Sequence, residues 1–218
     1  MESPPNIYVY KLTTDNGGAP CVQNNLLSLS ICKPRIRKKA TEGSLIFGFG
    51  GKNFGERLIY VAYVTNKPKP GEYYRDDKYS KRRDCIYQEI EGKAELKSDA
   101  RFHTTGGELS TDVGKHFEHS YVLLSEDFRY LGGEGSADYK RDFPAIKVLI
   151  ENLRRGHRVN HTPDLFEELL RLKSCVWSKW PANTSKRPSE NDFTKICNGD
   201  DGSCGVTRTK TESLDNDS

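Results

Sequence analysis

The sequence has no long apolar run. A helix that crosses a membrane needs about 20 consecutive apolar residues, and no stretch of this 218-residue chain approaches that, which excludes a helical membrane protein. The N-terminus, Met1-Glu-Ser-Pro-Pro, lacks the charged and apolar regions of a secretory leader, so a cytoplasmic protein with no membrane partner is the expectation. The C-x-x-C spacing is missing as well. None of Cys21, Cys32, Cys85, Cys175, Cys197 and Cys204 pairs at that interval, which argues against a zinc ribbon or a thioredoxin-type site and leaves free thiols as the expectation. Cys197 and Cys204 flank a Gly/Asp-rich segment that could clip a metal, but no metal site is assigned. An excess of one charge is absent too: 34 Lys+Arg face 31 Asp+Glu, a net of +3, and only 34% of residues are hydrophobic.

The polarity is unevenly spread. Residues 181–218 are Asn, Thr, Ser, Lys, Pro, Glu, Asp and Gly with almost no apolar periodicity, and hold 5 Lys+Arg and 7 Asp+Glu. Such a segment buries too little apolar surface to offset the entropy of ordering, so 181–218 is expected to be a disordered tail. The remaining 1–180 carry 29 basic and 24 acidic residues, a net of +5, and are long enough for one domain with a proper core.

Within that body, 7–13, 26–31, 45–49, 57–65 and 121–124 read as strands from their β-branched and aromatic content. Residues 57–65 are apolar on both faces, which predicts a central strand covered on two sides. Residues 144–155 place Ile146, Leu149, Ile150 and Leu153 on one helical face and stop at Gly156. Thr162-Pro-Asp predicts the start of a second helix, continued by Leu165, Phe166, Leu169, Leu172 and Val176. Strands first and helices last predict a single α+β domain with a mixed or barrel-like central sheet and two C-terminal helices. Residues 66–118 show no regular period.

Four segments could carry chemistry. Asp15-Asn-Gly-Gly-Ala-Pro-Cys21 joins a carboxylate, the flexible Gly17 and Gly18, and a thiol on one loop. Its glycines would let a ligand approach the backbone, with Cys21 a candidate nucleophile or Asp15 a candidate general base; a turn with a small buried cysteine is the alternative. The run at 33–39 offers Lys33, Arg35 and Arg37 to phosphate, unless it is merely a solvated face. The stretch at 48–55 lacks the Walker spacing, but presents Lys52 and, with Tyr60 beyond it, Phe49 or Phe54 for stacking on a base. His157, Arg158, Asn160 and His161 form a polar loop suited to an anion or a base, with either histidine a candidate acid; a helix-connecting turn is again the alternative. Aromatics and basic residues interleaved over 73–87 fit a base-stacking surface or a tyrosine-rich core edge.

Taken together, Y-V-Y-K-L-T-T-D-N-G-G-A-P-C (8–21), L-L-S-L-S-I-C-K-P-R-I-R (26–37), L-I-F-G-F-G-G-K (45–52), R-L-I-Y-V-A-Y-V-T (57–65) and G-H-R-V-N-H (156–161) resemble the second family of nucleotide modification associated domains. D-C-I-Y (84–87) and L-L-S-E-D-F-R-Y (123–130) extend the likeness over most of 7–180. The resemblance implies an α+β domain linked to modified nucleotides in DNA, in phage and mobile-element modification systems, without fixing enzyme or reader. Residues 43–65 also look like the paired strands of PUA-like modules of the EVE and ASCH group, which hold a flipped base. The expectation is a nucleic-acid-directed domain that recognises or processes a modified nucleotide, its partner DNA rather than RNA. A protein-interaction module with a partner-binding tail is the alternative, and the sequence names no cofactor.

Overall fold

The computed structural model describes residues 4–154 and 156–186. The chain opens with β1 (Ile7–Leu12), then β2 (Cys21–Gln23), β3 (Leu26–Leu29) and a short helix, α1 (Pro34–Lys39). A hairpin follows, β4 (Leu45–Gly50) and β5 (Leu58–Tyr63). Two helical turns, α2 (Glu72–Arg75) and α3 (Asp77–Ser80), precede the hairpin β6 (Tyr87–Ile90) and β7 (Lys93–Leu96), and α4 (Leu109–Asp112) comes next. The last third contains β8 (Leu123–Ser125), β9 (Asp127–Tyr130), α5 (Tyr139–Asp142), α6 (Pro144–Asn152), β10 (His157–Arg158), α7 (Pro163–Lys179) and β11 (Thr184–Ser185).

Six strands form one mixed sheet in the order β10-β1-β4-β5-β9-β11, with β1/β4 and β9/β11 parallel and the other neighbours antiparallel. The domain is α+β, as the order of elements predicted. The barrel-like alternative is corrected: among the described residues the sheet is open, with β10 and β11 as its edges. The β4–β5 pair that suggested a PUA-like module is the middle of this open sheet.

Alternation along the strands divides the core into two layers. Ile7, Val9, Leu45, Phe47, Phe49 and Val61 face α5, α6 and α7, meeting Ile146, Ile150, Leu169 and Leu172. Tyr8, Tyr10, Ile46, Tyr60, Ala62 and Tyr130 face the other way, toward Leu27, Leu29 and Leu123 of the small β2-β3-β8 sheet. β5 is the doubly covered central strand expected. Its pairing slips by one residue, because Phe49 aligns with Leu58 but Gly48 with Tyr60, leaving Ile59 as the extra residue of a bulge. The bulge puts Ile59 and Tyr60 together in the second layer.

Residues 66–118, irregular in sequence, are held by side chains rather than by a long ladder. Asp84, fully buried, accepts hydrogen bonds from Ser28 Oγ (2.5 Å), Ser30 Oγ (2.7 Å) and the Tyr73 hydroxyl (2.8 Å). Tyr73 and Tyr87 have no exposed surface, so of the two readings of 73–87 the tyrosine-rich core is the one found. The sheet also runs past residue 180: β11 adds to β9, and the Lys186 amide donates to the Tyr130 carbonyl (3.0 Å). Residues 187–218, with Cys197 and Cys204, lie outside the described residues. Among the described residues no helix is long and apolar enough to cross a membrane.

Candidate functional site

On the second layer of the sheet, polar groups collect where an apolar core would be simpler. Tyr10 and Tyr60 lie on non-adjacent strands, and their hydroxyls meet at 2.9 Å, both fully buried. Burial pushes both phenols up, with the charge of Asp15 adding to the rise. Gly48 makes room for this pair: a Cβ there would stand 2.1 Å from the Tyr60 ring and 2.8 Å from Leu12. One strand further, the Tyr130 hydroxyl donates to Asp15 Oδ1 at 2.5 Å. Asp15 sits on a loop whose residues 14–20 are all buried. That loop is tightened by the Gly18 amide donating to Asn16 Oδ1 (3.1 Å) and by a left-handed Gly17. Gly18 lies against Phe102, which a Cβ would strike at 2.9 Å.

A cationic rim borders this cluster. Lys33 Nζ stands 5.1 Å from the centroid of the Tyr10 ring. Burial lowers its pKa, and Cys32 opposes that shift. His157, opposite Tyr10 in the β1/β10 register, tilts over the Tyr8 ring at 6.0 Å. Burial, then Arg35, then Lys33 hold its imidazole below the usual histidine range, which places all three side chains in electrostatic reach of one another. Arg35 itself is exposed.

Behind Lys33 is a hydrogen-bonded chain of Cys32, His103 and Asp112. Cys32 Sγ is 3.3 Å from His103 Nε2, and His103 Nδ1 is 2.6 Å from Asp112 Oδ2. Asp112 Oδ2 also accepts from the Tyr87 hydroxyl (3.1 Å), and Oδ1 accepts from the Cys32 amide and from Arg37 Nη2, both at 2.9 Å. Burial alone would lower the His103 pKa, but the hydrogen bonds to Asp112 and Cys32 outweigh it and raise the group to about 10. Cys32 lies between β3 and α1 with φ +56, and His103 has φ +52, a left-handed backbone that non-glycine residues seldom adopt. Cys32 lies within electrostatic reach of both Tyr10 and Lys33, so this chain and the tyrosine pair share one neighbourhood.

These residues lie within a stretch that matches a family model. The model described as nucleotide modification associated domain 2 matches residues 4–194. The chain belongs to this family. Comparisons with curated proteins and with solved structures returned no match.

In this nucleotide modification associated domain, the residues singled out from sequence separate into two groups. Asp15, Gly17, Gly18, Lys33, Arg35, Tyr60 and His157 come together on the second layer and its rim. His161 lies at the start of β1, where Nε2 donates to the Ile7 carbonyl (2.8 Å). Burial lowers its pKa, and its buried Nδ1 has no hydrogen-bond partner among the described residues. The others fall elsewhere. Arg37 is corrected from a phosphate contact to an internal ion: it has no exposed surface and is held by Asp112 and by the carbonyls of Cys32 (2.6 Å) and Tyr121 (2.8 Å). Cys21 is fully buried, and burial first, then Asp84, pushes its thiol far up, against the thiolate a nucleophile needs. Phe49 belongs to the helical layer, edge-on to Tyr139, so it cannot stack on a base beside Tyr60. Lys52 sits exposed in the β4–β5 connection. Arg158 faces away from His157, because successive residues of β10 point to opposite sides. Its Nε donates to the carbonyl of the exposed Asn160 (2.9 Å). Cys32, His103 and Asp112 went unread in sequence, and the signal for them was slight: a cysteine two residues before a proline at a strand-to-helix turn.

Proposed function

We propose that this domain holds a nucleotide of a nucleic-acid strand against the second layer of its sheet and recognises or processes a modified base there. Its membership of a family named for nucleotide modification supports the substrate class, and DNA is preferred to RNA on the sequence resemblance alone. The observation that carries the reading is the convergence of Lys33, Arg35 and His157 beside the Tyr10–Tyr60 and Asp15–Tyr130 pairs. A cationic rim suits phosphate, and the loop bearing Asp15, Gly17 and Gly18 suits the base. Asp15 is the candidate general base, and His157, half-buried and held toward its neutral form, is the candidate proton carrier.

Fluorescence anisotropy with a labelled single-stranded deoxyoligonucleotide, and with its RNA counterpart, tests the reading. Affinity should fall steeply between about 50 and 200 mM salt, because phosphate contacts release counterions. The double variant Lys33→Ala/Arg35→Ala should weaken binding and flatten that salt dependence. Absence of binding to either strand at low salt overturns the reading.

A second reading, a protein-interaction module, is favoured by an apolar cleft of about 670 Å³ between α6 and the start of α7. Val148, which lines it, is 58% exposed. Val148→Asp should leave oligonucleotide affinity unchanged if the nucleotide site is on the other layer; lost affinity would count against that placement.

A further inference from the structure

We propose that Cys32, His103 and Asp112 form a nucleophilic triad that carries an acyl group through a thioester on Cys32, adding it to or removing it from an amine of a nucleotide base. The nucleotide half of this statement rests on the function proposed above, whereas the thiol chemistry stands on the geometry alone. Each pairwise distance fits a role: Sγ to Nε2 at 3.3 Å for the nucleophile and its proton carrier, Nδ1 to Oδ2 at 2.6 Å for the carrier and its anchor. Asp112 is a positioning residue. The Cys32 amide, Arg37 and Tyr87 fix its two oxygens, so it can hold the imidazole in one orientation. Cys32 is set on a left-handed turn from a strand into a helix, the placement that presents a nucleophile on a sharp strand-to-helix elbow. Cys21 and Cys85 are equally buried, but the side chains that bear on them are Asp84 and Arg82, with Arg83 at Cys21 and Lys97 at Cys85.

The chemistry closes without an oxidant or reductant. The reacting pair is a Cys32 thiolate and a protonated His103, the sulfur's proton having passed to Nε2, whose N–H points back at Sγ. Sulfur attacks the carbonyl carbon of an acyl donor, an ester or amide R–CO–X. The S–C bond forms, the C–X bond breaks, and X leaves with the proton from Nε2. An amine on the base, or water, then attacks the thioester carbon and gives its proton to Nε2 as the C–S bond breaks. Sulfur leaves with the electron pair of that bond, which restores the starting pair.

Cys32 shows only 3% of its surface, so reactivity toward a small electrophile is the decisive measurement. The full chain is treated with iodoacetamide near neutral pH, and the modification of each cysteine is followed by peptide mass spectrometry. Cys32 should be alkylated at least as fast as the exposed Cys175, while Cys21 and Cys85 stay unmodified. His103→Asn keeps a donor for Asp112 but removes Nε2, and should slow Cys32 by roughly 100-fold. A Cys32 as inert as Cys21, or one indifferent to His103→Asn, overturns the triad. If that variant exposes Cys21, and so has lost its fold, Cys32→Ser decides: turnover of p-nitrophenyl acetate must drop to background, and turnover equal to wild type overturns the proposal. Adding the single-stranded oligonucleotide at low salt separates the two readings. A reactive Cys32 with no oligonucleotide binding removes the nucleotide reading and leaves the thiol chemistry. Oligonucleotide binding with an inert Cys32 does the reverse.

Discussion

Arg35 and Arg37 are two residues apart in one basic run, yet they occupy opposite physical worlds. Arg35 is exposed and loses little if removed, so Arg35→Ala should leave stability within about 0.5 kcal/mol. Arg37 neutralises the buried Asp112, and Arg37→Met should cost roughly 3–5 kcal/mol, because it strands a carboxylate in the interior. Urea unfolding of the two variants tests this contrast, and equal stabilities would remove the internal ion from the account. Local composition marks both arginines as cationic but says nothing of pairing, since the partner lies 75 residues away. The same separation hid the triad, whose members stand 71 and 9 residues apart. Asp15, Lys33 and His157 were legible because their loop and run announce themselves locally. His103 adds a pH dependence. Its folded pKa of about 10 lies above the 6.5 of an ordinary histidine, so its stabilising effect is complete below about pH 6.5 and is lost as pH rises toward 10. Wild type should therefore lose on the order of 2–4 kcal/mol relative to His103→Asn between about pH 6 and 10. A pH-independent difference in urea midpoints between the two chains would show that the imidazolium is not held by Asp112.

At the scale of elements, β1, β4, β5 and α7 could be read because each obeys one period over several residues. The bulge in β5 could not, since a one-residue slip leaves the composition unchanged and is visible only in the pairing. The regular register before it has a chemical consequence: Tyr10 and Tyr60 stand opposite Gly48 from its two sides and meet across it. The glycine is needed for space, as its φ lies outside the left-handed region. Gly48→Ala should displace the Tyr60 ring and cost about 1–3 kcal/mol. Thermal melting gives the cost, and near-ultraviolet circular dichroism reports the tyrosine environment. An unchanged tyrosine signal would mean that the ring has other room. Residues 66–118 escaped reading for a different reason. Their order comes from Asp84, Arg82, Ser28 of β3 and Ser30 just beyond it, contacts between side chains distant in sequence that no local period encodes.

For the whole molecule, the question is where the domain ends. Composition places the boundary at 180, because apolar periodicity stops there, yet backbone pairing continues. The Asn183 amide donates to the Phe128 carbonyl (3.1 Å), the Lys186 amide donates to the Tyr130 carbonyl, and Thr184 and Ser185 register with Arg129 and Tyr130. Strand pairing of this kind needs no apolar side chains, which is why composition missed it. It also reaches the candidate site, since Tyr130 is the residue whose hydroxyl holds Asp15. A chain ending at Thr194, where the family match ends, keeps β11. One ending at Trp180 forfeits it, together with several hydrogen bonds each worth about 0.5–1.5 kcal/mol. The shorter chain should melt lower by roughly 4–8 °C, the equivalent of about 2 kcal/mol for a domain of this size. It should also bind the oligonucleotide more weakly, because freeing β9 loosens the Tyr130 hydroxyl that orients Asp15. Equal melting temperatures would mean that β11 contributes nothing to the sheet, while a lower melting temperature with unchanged affinity would separate Asp15 from binding.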